Sequence, residues 1–365
     1  MPRRSIVRAM SVLIVGGGIG GLCLATALTH AGIACQIVER EPAWTTVGAG
    51  ISFYPNGMRA LRRLGLGEAA VSAGAPIELV RTCTHDGTVV SEFPGENWEG
   101  IGQTFAIHRA ALQQLLLDAV SAVPVHMGAT VASLIDHGNS VDVELTNGAS
   151  MTADLVVGAD GIRSRVRDLC IGRLQPRYVG QMYWRGAVDD ELVDTATMLF
   201  DTDRFVALLP LGSGTTYVAL QQHSREPFDD DSLDRFADFG GPTPRAIELL
   251  RGDPNLHFGP AEEIERDEWR AGRTLLIGDA AHACSPTMAQ GGSLAIEDAI
   301  VLAELLAEQS SMDDAIDRFV ARRQPRAQWV RERTHHQIQL LNAGAPHEHL
   351  AHGMREMYAR LAEDV

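Results

Sequence analysis

The apolar residues of this chain follow two different periods near its start, and together they predict a strand, a helix and a second strand. Val12–Val15 is a run of consecutive apolar residues, as expected for a buried parallel strand. A helix-like apolar stretch covers Gly20–His30 and ends near Gly32, and a second apolar run covers Ala34–Glu39. This order predicts the first unit of an α/β layer.

Later patterns predict a β-rich middle followed by helices. The predicted elements are a loop over residues 47–57, a helix over 58–64, a hairpin over 82–90 with its turn at Asp86-Gly87, an amphipathic helix over 107–120, strands within 141–161, short alternating strands over 178–222, a short helix capped by the acidic run 229–231, a helix over 243–252 with Thr243 as its N-cap, a third apolar strand within 273–282, and a helical tail broken near Pro325 and Pro346. The β-rich middle lies between segments of the α/β layer, so the two domains are expected to interleave.

Composition excludes several classes of function. The 365 residues carry a formal net charge of −16, so nucleic acid and anionic membrane surfaces are poor partners. All 31 basic residues are Arg, which excludes a Schiff-base lysine. The five cysteines have no C-x-x-C spacing, which argues against a disulfide framework or a zinc site. With no apolar run long enough to cross a membrane and no signal-peptide pattern, we expect a cytoplasmic protein.

The first motif that carries chemistry is GGGIGG, which joins the first strand to the first helix. Gly16, Gly18 and Gly21 have the G-x-G-x-x-G spacing of a dinucleotide-binding turn, and Gly20 lies within it. The open N–H groups of the following helix favour a pyrophosphate. Glu39 ends the second strand 21 residues after Gly18, where its carboxylate favours ribose hydroxyls over a 2′-phosphate. The motif therefore indicates NAD or FAD, and it does not separate the two.

Two later segments favour FAD. In VVGADGIRSRVR (156–167), Asp160-Gly161 follows an apolar strand, with Ser164 and Arg167 at the start of the next helix. In LLIGDAAHACSPTMAQGGSLAIEDA (275–299), Asp279 is placed to accept a bond from a ribityl hydroxyl. The run Ala289–Ser293 then starts a helix whose N–H groups favour the negative charge that an isoalloxazine gathers at N1 and C2=O.

On these three motifs the chain resembles the FAD-dependent aromatic hydroxylases, which are class A flavoprotein monooxygenases with the para-hydroxybenzoate hydroxylase fold. The resemblance runs from Val12 to about Arg326, and it looks closest to members that hydroxylate urate, salicylate and pyridine or quinoline acids. Many relatives have Gly at position 289 and Asn at position 293, where this chain has Ala and Ser. The resemblance implies FAD contacts at Gly20, Glu39, Arg40, Ser52, Arg109, Gln113, Val131, Asp279, Ala289, Gln290, Gly291, Gly292 and Ser293.

The fold expected from the resemblance is α/β, with a Rossmann-like FAD-binding domain, an interleaved β-sheet substrate domain and C-terminal helices. The FAD-binding domain is expected to comprise residues 1–75, 101–175 and 270–325, the substrate domain residues 76–100 and 176–269, and the helical tail residues 326–365. Arg109 and Gln113 lie one turn apart on a helix, so they can act on the same ligand.

Candidate substrate residues lie on two facing strands. Arg204 opens the strand RFVALLPL and Tyr217 lies in TTYVAL, so we expect them to converge on a planar, anionic ring, as in the urate-hydroxylating branch. The alternative is that Arg204 is a solvated charge at a strand start and Tyr217 a core residue. Further candidate walls of the pocket are Phe205, Met182, Trp184 and His223, and the histidines between 335 and 353 favour a polar helix pair over a metal site.

The function implied by the resemblance is hydroxylation of an aromatic or N-heterocyclic acid through a C4a-hydroperoxyflavin. NADH or NADPH is the transient reductant and O₂ the co-substrate, and we expect a monomer or homodimer. A flavin halogenase would need a lysine and a W-x-W-x-I-P segment, which this chain lacks. A flavin-dependent reductase or epoxidase and a non-catalytic FAD-binding protein remain as alternatives.

Overall fold

The structure, a computed structural model, describes residues 10–45, 49–308, 311–343 and 356–364. The strands of its first half are Ser11–Val15 (β1), Ala34–Glu39 (β2), Gly50–Phe53 (β3), Gly74–Pro76 (β4), Leu79–Thr84 (β5), Val89–Pro94 (β6), Asn97–Trp98 (β7), Gly102–Gln103 (β8), Phe105–His108 (β9), Val125–Met127 (β10), Val131–Asp136 (β11), Val141–Leu145 (β12), Ser150–Ala153 (β13) and Leu155–Gly158 (β14). The later strands are Arg177–Val188 (β15), Ala196–Phe200 (β16), Arg204–Gly212 (β17), Thr215–His223 (β18), His257–Glu263 (β19), Arg270–Ala271 (β20) and Thr274–Leu276 (β21). The helices are Ile19–His30 (α1), Pro55–Arg63 (α2), Gly67–Ala73 (α3), Arg109–Ala119 (α4), Arg165–Cys170 (α5), Thr243–Leu250 (α6), Asp279–His282 (α7), Gly291–Ala307 (α8) and Met312–Asn342 (α9).

A six-stranded sheet of order β10-β2-β1-β14-β21-β20 forms the α/β layer, as the sequence predicts. The strands from β10 to β21 are parallel. The central strands β1, β14 and β21 are buried on both faces, which explains their continuous apolar runs. The helices α1 and α8 pack against each other beside this sheet. The carboxyl ends of β1, β14 and β21 lie at one edge, and each is followed by one of the three glycine-containing motifs.

The β-rich middle forms a seven-stranded sheet of order β19-β15-β18-β17-β16-β5-β6. One face is covered by α6 and by an aromatic cluster around Trp184 and Phe236, both of which are fully buried. The other face is turned toward β3, β4 and β9 of the α/β part. The space between the two sheets is therefore walled by one sheet face and by the glycine motifs.

Residues 47–57 do not form the loop that the sequence predicts. Gly50–Phe53 is strand β3, which pairs antiparallel with β9, and α2 begins at Pro55 rather than at Met58. Residues 46–48 lie outside the described residues. Pro is compatible with the first helical position because that residue needs no N–H donor.

The helix predicted to break near Pro325 continues through it, so that prediction is wrong. α9 runs unbroken from Met312 to Asn342. On one side of Pro325 the buried Arg323 is held by two carboxylates, and on the other Ala327 is buried in the core. These contacts offset the loss of one helical hydrogen bond. The predicted break near Pro346 and the histidines at 347, 349 and 352 lie outside the described residues, and residues 356–361 form a further helical turn.

Two helix starts differ slightly from the prediction. The N-cap of α6 is Pro242, so Thr243 is its first helical residue. Ser232, rather than the acidic run before it, caps a 3₁₀ turn over Leu233–Phe236. In the part of the chain that the structure describes, every helix is too short or too polar to span a lipid bilayer. The domain boundaries given above stay a prediction.

Candidate active site

The glycine-rich turn after β1 is shaped for a ligand that approaches the start of α1. Gly16 has φ +109°, and a Cβ there would lie 2.4 Å from the carbonyl oxygen of Ala159. A Cβ on Gly21 would lie 2.0 Å from the Gly16 oxygen, so side chains are excluded at both positions. At Gly18 a Cβ would meet nothing within 4 Å. The helix has no side-chain cap and no acidic residue in its first turn, so its N–H groups face this open space.

Glu39 lies beside this turn, at the end of β2, as predicted. Its Oε2 accepts a hydrogen bond of 2.6 Å from the N–H of Gly17, and its Oε1 accepts one from Glu41. Trp44 covers the same place, because a Cβ on Gly17 would lie 2.5 Å from its ring. Sequence reasoning missed Trp44, which no motif marks. Arg40 points away into solvent and pairs with Glu41, which gives no support to its predicted FAD contact.

Asp160 of the second motif is engaged within the protein. Its Oδ1 accepts a hydrogen bond from Ser164, and its Oδ2 accepts bonds from the N–H groups of Arg165 and Val166, at the start of α5. Burial raises the pKa of Asp160, and these bonds oppose that rise. The buried Arg167 donates to the carbonyl of Ala280, so it ties the second motif to the third. The predicted contact of Asp160 with a cofactor stays a prediction.

The third motif presents an exposed carboxylate next to an uncapped helix. Gly278 has φ +56°, and Asp279 after it is exposed. The helix α8 begins at Gly291 with no side-chain cap and no acidic residue in its first turn. Ala289 holds the left-handed conformation with φ +50°. Nε2 of Gln290 and Oγ of Ser293 are buried without a partner in the described part of the chain.

The remaining predicted cofactor residues differ in burial and in their partners. Arg109 is the first residue of α4, its backbone N–H donates to Ala49, and its side chain has no partner among the described residues. Partial burial lowers the pKa of the Arg109 guanidinium, and the nearby carboxylate of Asp279 opposes that shift. Gln113 is half-buried on the same helix, and Ser52 is half-buried in β3. Val131 is fully buried at the start of β11, which suits packing and no polar role.

These groups fit FAD. Two uncapped helix starts face one space, and an open glycine, an exposed carboxylate and an unpaired Arg line it. α1 would hold the pyrophosphate and Glu39 the adenosine ribose, while Asp279 and α8 would hold the ribityl chain and the flavin ring.

The structure does not bring Arg204 to Tyr217, and the predicted convergence is wrong. Arg204 pairs across the strands with Gln222, whereas Tyr217 pairs with Leu209, about five residues or roughly 17 Å along β17. Positions 204 and 209 are offset by five residues along β17, which is an odd number, so the side chains of Arg204 and Tyr217 lie on opposite faces of the sheet. Arg204 forms ion pairs with Asp201 and Asp238 on the face that α6 covers.

Tyr217 lies on the face turned toward β3. A Cβ on Gly50 would lie 2.6 Å from the Cβ of Tyr217, so this tyrosine packs against the backbone of the α/β part. Burial raises its pKa, and Arg185 and Arg109 oppose that rise. Phe205 lies on the same sheet face as Tyr217, and its role as a pocket wall stays a prediction. Met182 and Trp184 are buried on the opposite face. His223 bonds the carbonyl of Gly180 at the far end of β18.

Sequence reasoning missed three polar residues of this face, Tyr183, Arg185 and His257. Arg185 pairs with Ala219 on one side and with His257 on the other. The hydroxyl of Tyr183 shares a 3.1 Å hydrogen bond with Thr287, in the segment before α8. Tyr183 and Arg185 alternate with the apolar Met182 and Trp184 along β15, and this alternation is the sequence signal for these two residues. His257 lies on the neighbouring strand β19.

A buried ion network supports the motifs from behind. Asp298 accepts hydrogen bonds from His282, from the N–H of Gly278 and from Arg323. Glu297 pairs with Arg323 and Arg326, and it accepts a bond from Asn56. Burial raises the pKa of Glu297, and the two arginines outweigh it, so the net pKa lies below its usual range. The network joins α7, α8 and α9 directly behind the predicted flavin site.

Comparison with known proteins agrees with this geometry. The family model described as FAD binding domain matches residues 9–334. An aurachin C monooxygenase/isomerase of Stigmatella aurantiaca is 36% identical over 329 residues, covering 87% of this chain and 86% of that protein. A 2-heptyl-3-hydroxy-4(1H)-quinolone synthase of Pseudomonas aeruginosa is 30% identical over 336 residues, covering 89% and 88%. The structure of Klebsiella pneumoniae HpxO with FAD and uric acid superposes with a TM-score of 0.85 at 27% identity, covering 95% of this chain and 92% of that one.

Proposed function

The chain belongs to the FAD binding domain family and is a FAD-dependent monooxygenase, and from this premise we propose that it hydroxylates a planar aromatic or N-heterocyclic compound. The electron donor is NADH or NADPH, and the co-substrate is O₂. The observation that carries the proposal is the sheet face beside the flavin positions. On this face Ala207 and Ala219 lie next to the Leu209–Tyr217 pair, and Phe205 lies further along β17, so apolar side chains flank a few polar groups.

The relatives support a heterocyclic substrate. One is named for a quinolone product, and another is seen with uric acid, and both compounds are planar nitrogen heterocycles. Ala207 and Ala219 pair with each other on this face, and their small side chains suit the stacking of such a ring on the sheet. These names belong to the relatives, and the choice of ring for this chain is part of the proposal.

When bound, FAD supplies the activation of oxygen, and the residues of the chain position the reactants. The N–H groups at the start of α8 would stabilise negative charge on the flavin ring. Because burial raises the pKa of Tyr217, its hydroxyl is protonated at neutral pH and would donate a hydrogen bond to a ring oxygen of the substrate. The packing of Tyr217 on Gly50 closes one side of the space and helps to exclude water.

The test is a turnover screen with the FAD-loaded protein. Urate, salicylate, hydroxybenzoates, pyridine acids and 4-quinolones are each added with NADH or NADPH, and oxidation of the reductant is followed. A substrate is expected to speed that oxidation, and mass analysis under ¹⁸O₂ should show one labelled oxygen in the product. Protein stripped of FAD is the control.

Two results would overturn the proposal. The first is that no ring compound in the screen gains an oxygen although the protein holds FAD and oxidises the reductant, as a reductase would. The second is that the protein holds FAD and does not respond to NADH or NADPH, as a non-catalytic FAD-binding protein would behave.

A further inference from the structure

Arg185 lies on β15 without an ion-pair partner among the described residues. The sequence holds 47 acidic residues against 31 arginines, so carboxylates are in excess. Within the described ranges no carboxylate lies within ion-pair distance of Arg185, and its Nε–H is buried without a hydrogen-bond partner. A buried N–H without a partner costs about 1–3 kcal/mol, which a ligand that accepts its hydrogen bond would recover.

The charged groups around Arg185 favour an anion. Arg185 lies close enough to Arg109 to contribute to the lowered pKa of that guanidinium, after burial. Both arginines oppose the rise that burial causes in the pKa of Tyr217. Burial lowers the pKa of His257 first, and the two arginines lower it further. The carboxylate near this group is Asp279, which acts on Arg109 from the cofactor side. The substrate side is therefore left with positive charge and without a balancing carboxylate among the described residues.

Small side chains flank Arg185 on the sheet face. On the sheet face its cross-strand neighbour is Ala219, and two residues further along β15 lies Ala187. The guanidinium lies 5.8 Å from the centre of the Tyr183 ring, which holds the side chain against the sheet. A rigidly held guanidinium fork with its Nε–H free matches the geometry of a carboxylate or another planar oxyanion.

We propose that Arg185 binds an oxyanion on the edge of the substrate ring, so that the preferred substrates of this enzyme are planar ring compounds that carry a carboxylate or an ionised ring hydroxyl. The inference rests on the proposed function, and it assigns the anion to β15 rather than to Arg204 on β17. Arg185 orients the ring, and Tyr217 bonds a second oxygen on the same face.

The test measures binding without turnover. The FAD-loaded, oxidised enzyme is titrated with 4-hydroxyquinoline-2-carboxylate and with the matching 2-carboxamide, and binding is read from the change in flavin absorbance. Wild-type enzyme is expected to bind the carboxylate at least tenfold more tightly than the carboxamide. In Arg185→Gln that preference should fall to within twofold, because the charge-assisted bond is lost and the ring contacts remain.

Two further variants sharpen the result. Arg185→Lys keeps the positive charge but lacks the planar guanidinium, so it should retain part of the preference for the carboxylate over the carboxamide. This variant keeps the test informative if Arg185→Gln fails to hold FAD. Arg204→Gln is the matched control, since it removes an arginine from the opposite face of the same sheet. To separate the two sources of the oxyanion, 4-hydroxyquinoline is titrated across pH. If 4-hydroxyquinoline binds more tightly once its hydroxyl ionises, and if Arg185→Gln abolishes that gain, Arg185 binds a ring oxyanion. If only the 2-carboxylate compound gains affinity from Arg185, the site binds a carboxylate.

The outcomes separate this inference from the proposed function. If wild-type enzyme binds the carboxylate and the carboxamide equally, or if Arg185→Gln keeps the preference, the inference is wrong whether or not a ring is hydroxylated. If Arg185 controls binding but no ring compound gains an oxygen, the anion site stands and the proposed function fails. If only Arg204→Gln loses the preference, the anion lies on the other face and the inference is overturned.

Discussion

Nε2 of His282 and Oδ2 of Asp298 lie 2.6 Å apart, in a hydrogen bond between two buried side chains. The same carboxylate oxygen accepts the N–H of Gly278 at 2.9 Å, and Oδ1 accepts a bond from Arg323 at 2.7 Å. Gly278 directly precedes Asp279, the residue expected to hold the ribityl chain. This pair therefore fixes the turn that presents Asp279, although neither residue lies among the predicted FAD contacts.

Replacing Asp298 with Asn is expected to lower the free energy of unfolding by about 3 kcal/mol or more, because it leaves Arg323 with less compensation in the core. FAD affinity should fall as well, since the Gly278 turn loses its anchor. Urea unfolding of the apoprotein and a fluorescence titration with FAD measure the two effects.

Asp142→Asn is the matched control for that variant. Asp142 also pairs with a histidine, His137, at 2.9 Å, but their side chains are 52% and 48% exposed. Exposed pairs contribute little to stability, so no measurable change is expected in either assay. Equal losses in the two variants would contradict the role given to the buried pair.

The same carboxylate predicts a dependence of stability on acid. Burial raises the pKa of Asp298, and the charges of His282 and Arg323 outweigh it, so the folded pKa lies well below the usual range. Because the unfolded chain then binds the proton more readily, the stabilisation is fully present above about pH 4 and is lost as pH falls through the folded pKa. Below pH 4 the unfolding free energy of wild type should fall more steeply than that of Asp298→Asn, by up to about 1.4 kcal/mol per pH unit. Parallel acid slopes from urea unfolding at pH 5, 4 and 3 would refute this.

The α/β part was predictable because its signals are local. The apolar runs of β1 and β2 and the glycine turn between them lie within thirty residues, and their bounds agree with the sequence to about one residue. β3 was missed because its strand conformation depends on pairing with β9, more than fifty residues away. Pro325 misled the prediction since the local helix rule ignores the packing of Arg323 and Ala327 on either side.

The substrate side shows how a single position decides a face. Arg204 and Phe205 are neighbours in sequence, yet one joins the ion pairs under α6 and the other faces the ring space. The sequence correctly predicted that β17 and β18 are neighbouring strands, but it placed Arg204 and Tyr217 on the same face of the sheet, which is wrong. Trp184, fully buried, would have settled the parity of β15 and pointed to Arg185 beside it.

Replacing Gly18 with Ala should weaken FAD binding at least tenfold without destabilising the apoprotein. The backbone of Gly18 is extended, with φ −78° and ψ −174°, so Ala fits it, and the new methyl group points into open space. That space is where the pyrophosphate must approach the backbone closely. Thermal unfolding of the apoprotein and an FAD titration measure the two effects.

Gly32→Ala, at the other end of α1, should behave in the opposite way. Gly32 has φ +71°, so Ala costs about 1 kcal/mol of stability there, and FAD affinity should not change. If Gly18→Ala binds FAD as tightly as wild type, the pyrophosphate does not lie over this turn.

Ala289→Gly should stabilise the apoprotein by about 0.5 kcal/mol. Ala289 is held at φ +50°, which costs a residue with a Cβ about 1 kcal/mol or more, and the greater freedom of Gly in the unfolded chain offsets part of the gain. Ser213→Gly is the control, since Ser213 has φ +53° in the turn between β17 and β18 and should give a similar gain. Urea unfolding compares the two, and a loss of stability in Ala289→Gly alone would show that the Ala methyl group makes contacts that outweigh the strain.

Arg204→Gln provides the direct comparison between the sequence hypothesis and the structure. Arg204 donates to Asp238 at 2.8 Å, pairs with Asp201 and lies 5.1 Å from the Phe239 ring. Its loss leaves the two carboxylates facing each other, so the free energy of unfolding should fall by about 1–2 kcal/mol. The half-saturating concentration of an anionic substrate should not change, because Arg204 lies on the far face of the sheet. Steady-state kinetics and urea unfolding on the same preparation separate these effects, and a raised half-saturating concentration at unchanged stability would return Arg204 to the substrate site.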